Sequence, residues 1–462
     1  MKTIIIPVFQ GVVALNILRT DVLKGLRQGK NVRIVLLMPN QLRIDYYRSF
    51  FPESDDLKYA TFPALRERLA GTFFSYLKVY LLRTETMDLK RRYSYYESRN
   101  AFRYVVSLLV NRILARPLVR KFARYFDARL GIDDAVKQLF DEFNPAVVFS
   151  VHLFGDDEAA ILRAAKRLGV PSIGFINSWD KLTSRSIIRI LPDYLIVPNK
   201  IVKTEAVCFH DIPPEKIFIS GAPQFDIYRK LKPTSREDFL KQAGLPITAR
   251  FFVFCPMGKT FSDSDWQFML LIDSFLKRKL LPDDLFVLVR FPPNDRVRLG
   301  DSSKMDRFVF MIPGVRFSKT RGVDWDMNEA DIQSLFDSIY WSELVVCPPS
   351  TISIDASILD KPVINLGFDF VPEKSYRSIL RFYGATHYRN IMGFGGISLA
   401  KDARDLLRLI NHYLMNPQDN AEGRSKIVES QVERSDGKAG ERIADYILDI
   451  LAEKDYKMGH DK

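Results

Sequence analysis

A chain of 462 residues is too long for one ordinary core, and its length predicts two domains of roughly 200 residues each. Hydrophobic content of 47% with 27% charged residues excludes a disordered chain, and no stretch approaches the roughly 18 to 20 apolar residues of a membrane-spanning helix. The formal net charge of +12 is concentrated: Leu65–Leu130 holds 15 Lys and Arg against 5 acids, leaving the remainder close to neutral, which argues against a general nucleic-acid coat.

The opening residues, MKTIIIPVF, have an apolar run of strand length and lack the longer apolar core and cleavage site of a secretory leader. Strand Thr3–Phe9 is followed by a Gln10-Gly11 turn, a helix over Ala14–Arg27 with Leu15, Leu18, Val22 and Leu26 on one stripe, and strand Val32–Met38. Residues 57–62 read as a third short strand. The basic segment reads as helices rich in Phe and Tyr, among them Phe73, Tyr76, Tyr93 and Tyr96. A helix from about Ala101 to Arg129 should break or kink at Pro117. This segment is either a solvated face whose arginines are balanced elsewhere, a surface for anionic lipid, or, with no RNA motif to support it, an RNA contact.

Alternation then resumes with strand Ala146–Val151, helix Glu158–Leu168, and strands Pro171–Ile176, Tyr194–Val197 and Ile217–Ser220. Charged, proline-bearing residues 229–250 read as a crossover between domains. A second set follows: strand Phe251–Cys255, helix Asp265–Leu280, strands Leu285–Arg290 and Val315–Phe317, and helix Ile332–Ser342. Strand Leu344–Cys347, helix Thr351–Leu359 and strand Pro362–Leu366 complete it. The tail, Ala403–Asn416 and Lys438–Lys454, is helical, and its last helix could return to the first domain. Uninterrupted apolar strands of this kind belong to parallel sheets covered on both faces, so the fold class is α/β with two doubly wound, Rossmann-like domains and a helical basic insertion at 65–130 in the first. The expected domains are 1–228 and 251–462.

Cys208, Cys255 and Cys347 are odd in number and in no metal-ligand pattern, and are expected to be buried free thiols in a reducing compartment. Gly393-Phe394-Gly395-Gly396 lacks the strand and helix context of a dinucleotide fingerprint. No P-loop and no His-Glu-x-x-His is present.

Two stretches carry a resemblance. The first contains GFINSWDKLTSR, LPDYLIVPN and KTEAVCFHDIPPEKIFISGAPQFDIY between Gly174 and Tyr228; the second is SELVVCPPSTISIDASILDKPVINLGFD, from Ser342 to Asp369. The first resembles a bacterial group related to CDP-glycerol glycerophosphotransferases and surface-polysaccharide glycosyltransferases. There Ser178, Trp179, Asp180, Leu182, Thr183, Ser184, Glu205, Ala206, His210, Gly221, Ala222, Phe225 and Asp226 match, whereas Lys181, Arg185 and Ser186 depart. The second is similar to the donor segment of that group and of nucleotide-sugar epimerases. A loop that commonly reads Arg-x-His-Pro in the family is Arg290-Phe291-Pro292-Pro293 here, so any role of that histidine has no carrier. The resemblance implies a GT-B fold, a nucleotide-activated donor held in a cleft between the domains, and no metal or other cofactor.

On the donor side, the Pro348-Pro349-Ser350-Thr351 loop ahead of a helix offers free backbone N–H groups to a diphosphate, with the Ser350 and Thr351 hydroxyls beside them. Asp355 stands where this fold commonly places a carboxylate against the ribose. The bland alternative makes Ser350 a helix cap and Asp355 a solvated residue. Lys259 and Arg290, at carboxyl ends of strands, could offset charge on the leaving nucleotide, with Arg321 as a further cation; each could equally be a plain surface charge. On the acceptor side, His152, Asp156 and Asp180 follow strand ends and could deprotonate a hydroxyl, although Asp156 or Asp157 would serve equally as a helix cap. Trp179 is either a packing residue or a sugar platform, and His210 reads as structural.

These features predict a glycosyltransferase moving a sugar from a nucleotide sugar to a glycan or lipid-linked acceptor in cell-surface polysaccharide synthesis. It would be cytoplasmic, on an anionic inner membrane face, and without a nucleic-acid partner. The alternatives are transfer of a polyol phosphate from a CDP-activated donor, a nucleotide-sugar 2-epimerase, and a non-catalytic membrane-surface scaffold.

Overall fold

The computed structural model describes residues 1–65, 69–317 and 325–460, the last eight by backbone alone. The chain divides into two compact units. One comprises Met1–Asp88, Val105–Asp226 and Val432–Lys462, the other Leu89–Tyr104 and Ile227–Gln431.

The first unit is built on strands β1 (Lys2–Pro7), β2 (Val32–Met38), β3 (Leu57–Thr61), β4 (Pro145–Ser150), β5 (Ser172–Phe175), β6 (Tyr194–Val197) and β7 (Ile217–Ile219). They pair in the order β3-β2-β1-β4-β5-β6-β7, all parallel. Ile4 and Ile6 face one apolar core and Ile5 the other, the alternation of a strand covered on both faces. Chain order reverses between β1 and β4, the point where doubly wound sheets open a crevice at their carboxyl edge.

The second unit uses β8 (Arg250–Phe254), β9 (Leu285–Arg290), β10 (Phe308–Met311), a separate antiparallel pair of β11 (Val315–Arg316) and β12 (Trp325–Asp326), then β13 (Val345–Cys347), β14 (Val363–Leu366) and β15 (Ile397–Ala400). The main sheet runs β10-β9-β8-β13-β14-β15, again parallel, with its reversal between β8 and β13.

Several details bear on the expectations, some of them as differences. The helix over Ala14–Arg27 is two, Gly11–Ile17 and Asp21–Arg27, because the Thr20 hydroxyl accepts from Val22 N and starts a second helix. The edge strand of the second sheet is β10, and the run at 315–317 leaves the sheet to pair with β12. Residues 229–250 lie inside the second unit, where helix Arg236–Ala243 sets Phe239 against Phe251. Helix Ala439–His460 belongs to the first unit. Its Ala444 methyl packs onto Gly25, and the buried Asp226 carboxylate accepts from Ala439 N and Gly440 N at its start. Pro117 opens a new helix, Pro117–Ala128, as its missing N–H requires. Cys208 is exposed and only Cys255 and Cys347 are buried. Gly396 packs backbone to backbone on Gly423, which accounts for a glycine there.

Candidate active site

At the reversal point of the first sheet, the residues following β1 and β4 meet. Gln10 Nε2 stands 3.3 Å from His152 Nε2, and His152 Nδ1 stands 3.0 Å from Glu158 Oε1. Glu158 is the third residue of helix Asp156–Arg167 and is buried. Its carboxylate folds back over Gly155, where any Cβ would overlap Oε2, so the glycine leaves the carboxylate its place. A carboxylate on Nδ1 fixes a tautomer with the proton there and the Nε2 lone pair outward, where it accepts from Gln10. Burial lowers the pKa of His152 against the opposing pull of Glu158, and keeps the ring neutral. Glu158 and Gln10 escaped the sequence reading; a carboxylate six residues after a strand-end histidine was the only available signal.

The other two acceptor-side candidates are engaged differently. Asp156 Oδ1 pairs with Lys78 at 2.9 Å and Arg189 at 2.8 Å, and Oδ2 accepts from Ser75. Burial raises its pKa, but these hydrogen bonds and charges outweigh that and leave it lowered, making Asp156 an ion-pair centre and a poor base. Asp180 accepts from Ser178 at 2.5 Å and from Ser184 at 3.1 Å, closing the turn Lys181–Ser184. His210 is fully buried: Nε2 donates to Leu182 O at 2.9 Å and Nδ1 accepts from Ile188 N at 3.2 Å. It staples the loop that carries Trp179 and Asp180.

In the second unit, loops after β8 and β13 flank the reversal point. Ser350 and exposed Thr351 lie before helix Ile352–Ile358, with Ser350 Oγ only 3.5 Å from Ile352 N. Asp355 Oδ1 accepts from Tyr228 at 2.6 Å, and burial pushes its carboxyl up to about 6. It is therefore neither a solvated helix residue nor a freely exposed carboxylate.

Arg290 requires a correction. It is buried, donating to Ser334 Oγ at 3.2 Å, Asp331 O at 3.1 Å and Met311 Sδ at 3.0 Å, and so anchors helix Glu329–Tyr340 where an open cation was expected. Lys259 is exposed. Its loop is shaped by Asp265, which accepts from Met257 N and Gly258 N, and by Gly258 at φ +94°. Arg377 donates to the carbonyls of Lys259 and Thr260, and Lys259 N donates to Arg296 O. Arg316 donates to the carbonyls of Pro292 and Pro293, in the loop that lacks the family's histidine. Lys259, Arg296, Arg316 and Arg377 thus gather along the carboxyl edge of β8 and β9; the three arginines were not anticipated. Arg321 lies outside the described residues. Among the described residues, no group of three or more His, Cys, Asp or Glu is placed to hold a metal ion.

Both units are doubly wound parallel sheets with open carboxyl edges, which is the GT-B fold class. The CDP-glycerol:poly(glycerophosphate) glycerophosphotransferase family matches residues 177–449, and the chain belongs to that family. It is accordingly a transferase. No curated protein matches the sequence. Among solved structures, it is similar to MnaA of S. aureus in complex with UDP (14% identity, TM-score 0.56, 98% of this chain and 97% of that one). It is likewise similar to the UDP-GlcNAc 2-epimerase of Neisseria meningitidis bound to UDP-GlcNAc (12%, 0.55, 97% and 100%). A variant of the wall teichoic acid polymerase TagF aligns at 15% identity and TM-score 0.51, over 100% of this chain and 90% of that one. At these identities the likeness is one of fold.

Proposed function

We propose that the enzyme transfers a polyol phosphate from a CDP-activated donor to a hydroxyl of a surface-polymer or lipid-linked acceptor. The observation that carries this reading is the family match, which takes in Ile227–Gln431, the longer of the second unit's two segments. In this mechanism His152 Nε2 exchanges its hydrogen bond from Gln10 for the acceptor hydroxyl and takes its proton, while Glu158 holds the imidazole and stabilises the imidazolium. The freed oxygen attacks the donor's β-phosphorus, the bond to the bridging oxygen breaks, and CMP leaves. Lys259 and its neighbouring arginines, with Ser350 and Thr351, offset the charge that grows on the departing phosphate, so the reaction needs no metal and survives EDTA.

The released nucleotide tests the reading. CDP-glycerol with a polyol-phosphate acceptor should yield CMP. A nucleoside diphosphate released from a nucleotide sugar would instead support sugar transfer, the second reading, which the UDP and UDP-GlcNAc complexes of MnaA and the N. meningitidis epimerase favour. No turnover with either donor class would leave the scaffold.

The same proposal places the enzyme on the inner face of an anionic membrane. No helix of the described residues is long and apolar enough to cross one. Helices Leu69–Tyr80 and Pro117–Ala128 nevertheless expose Leu69, Phe73, Tyr76, Leu118, Phe122 and Phe126, with Arg116 and Lys121 exposed beside the last three. Not all of the basic charge is free for lipid: Lys78, Arg112, Arg120 and Arg124 pair with Asp156, Asp88 and Asp211.

A further inference from the structure

The loop after β5 holds buried polar groups that the mechanism above does not use. Neither amide atom of Asn177 has a hydrogen-bond partner among the described residues, nor does Nζ of Lys181, nor Oε2 of Glu205 on the helix Lys200–His210. The three residues are only 4%, 5% and 6% exposed. Burying one unpaired ammonium is costly, and orphaned groups on two elements packed together, the turn Lys181–Ser184 and the helix Lys200–His210, with Asn177 just before them, call for an explanation.

The neighbouring carboxylates are already committed. Asp180, whose charge acts on both Lys181 and Glu205, closes its turn through Ser178 and Ser184, and Glu158 is taken by His152. Arg185 adds positive charge beside Lys181. Lys181 is also held in place: the carbonyl of Leu182 accepts from His210, and that of Thr183 accepts from Thr84 at 2.6 Å. Among the described residues nothing pairs with the Lys181 ammonium, so a ligand is free to supply its partner.

We infer that the loop Asn177–Ser184 binds a phosphate group of the acceptor, with Lys181 meeting its charge and the Asn177 amide donating to one of its oxygens. A hydroxyl alone would satisfy hydrogen bonds but would leave the ammonium without a directly bonded counter-charge, which is why the site selects an anion. Burial pushes the Glu205 carboxyl up to about 8, so at neutral pH it carries a proton and adds no negative charge to repel a phosphate. Sequence supports a role particular to this chain, since Lys181 is one of the positions where the motif departs from its family. The inference rests on the transfer reading for its acceptor, but not for its test.

Calorimetric titration of the full chain with glycerol 3-phosphate and with glycerol, the donor edge saturated with CDP, should show glycerol 3-phosphate binding at least about tenfold tighter, a preference of the size one charge-assisted contact supplies. Inorganic phosphate should compete. Lys181→Met should lose the preference and Lys181→Arg should keep part of it, with CDP affinity unchanged in both. Should Lys181→Met fail to fold by thermal melting, Asn177→Asp serves in its place, because a second carboxylate must repel phosphate. Equal binding of glycerol and glycerol 3-phosphate, or an undiminished preference in the folded variant, would overturn the site and identify the lysine as buried against water alone. CMP release without phosphate binding sinks this inference only; phosphate binding without CMP release sinks only the transfer reading.

Discussion

Glu158 Oε1 lies 3.0 Å from Nδ1 of His152, across a glycine whose lack of a side chain makes room for the carboxylate. Because burial lowers the pKa of this histidine, the base form persists below the ordinary imidazole value of 6.5. The acidic limb of kcat/KM should therefore fall below pH 6.5. Glu158→Gln removes a group that raises the pKa, so the limb should move further down while kcat drops about 10²-fold, the lower range for general base catalysis. Gly155→Ala should reproduce the loss in kcat. A limb above pH 6.5, or full activity in Glu158→Gln, would assign the base elsewhere.

Arg290 and Lys259 should separate in their effects. Arg290→Ala strips hydrogen bonds from Ser334 and Asp331 and leaves a cavity, at a cost of about 2–5 kcal/mol in denaturant unfolding. Lys259→Ala, at an exposed position, should leave stability within about 0.5 kcal/mol and weaken nucleotide binding by about tenfold. The reverse pattern would mean that the buried arginine, and not the exposed lysine, faces the donor.

Membrane association should depend on apolar contact as well as charge. Flotation with anionic vesicles should show binding that weakens with salt, since exposed charges are screened within about 10 Å at 0.1 M. Leu118→Asp with Phe122→Asp should abolish it without lowering the melting temperature, both side chains being exposed. Equal binding to neutral vesicles would remove the role of the basic residues.

His210 predicts the acid side of the stability curve. Burial pushes its pKa down to about 3, so between pH 3 and the unfolded value near 6.5 the unfolded chain binds the extra proton. The stabilisation is complete above pH 6.5 and is lost as the pH falls toward 3. Urea midpoints of the wild type should drop between pH 7 and pH 5 by more than those of His210→Gln. Parallel curves would show that the imidazole does not titrate with unfolding.

The strands were legible because a residue run buried on both faces has few other homes: Tyr194–Val197 and Leu285–Arg290 were read to the residue. Short polar cues were harder. Thr20 splits a helix through a single hydroxyl contact, and nothing in the periodicity around Leu18 announces it. On the donor side, Lys259 and the loop at Ser350 follow from position at a strand end. The burial of Arg290 depends on Ser334 and Met311, far away in sequence, and could not be read from its own neighbourhood. Asp226 was visible as a motif residue, but its cap on a helix more than two hundred positions later belongs to tertiary structure alone. The same holds for Glu158, whose meaning depends on how Gly155 lets it turn back.

Helix Ala439–His460 imposes an order on the life of the nascent chain. Ile443 and Ile447 complete the core that Ile4, Leu23 and Leu26 begin, yet they leave the ribosome only after the whole of Ile227–Gln431 has been made. At about 5–20 residues per second, the first sheet waits on the order of ten seconds or more with part of one apolar face uncovered. The second unit, whose early piece Leu89–Tyr104 has already been made, has all it needs to fold in that interval. A protein that binds exposed apolar strands during synthesis would find its target in the N-terminal half, and a stalled or truncated chain would betray itself there first.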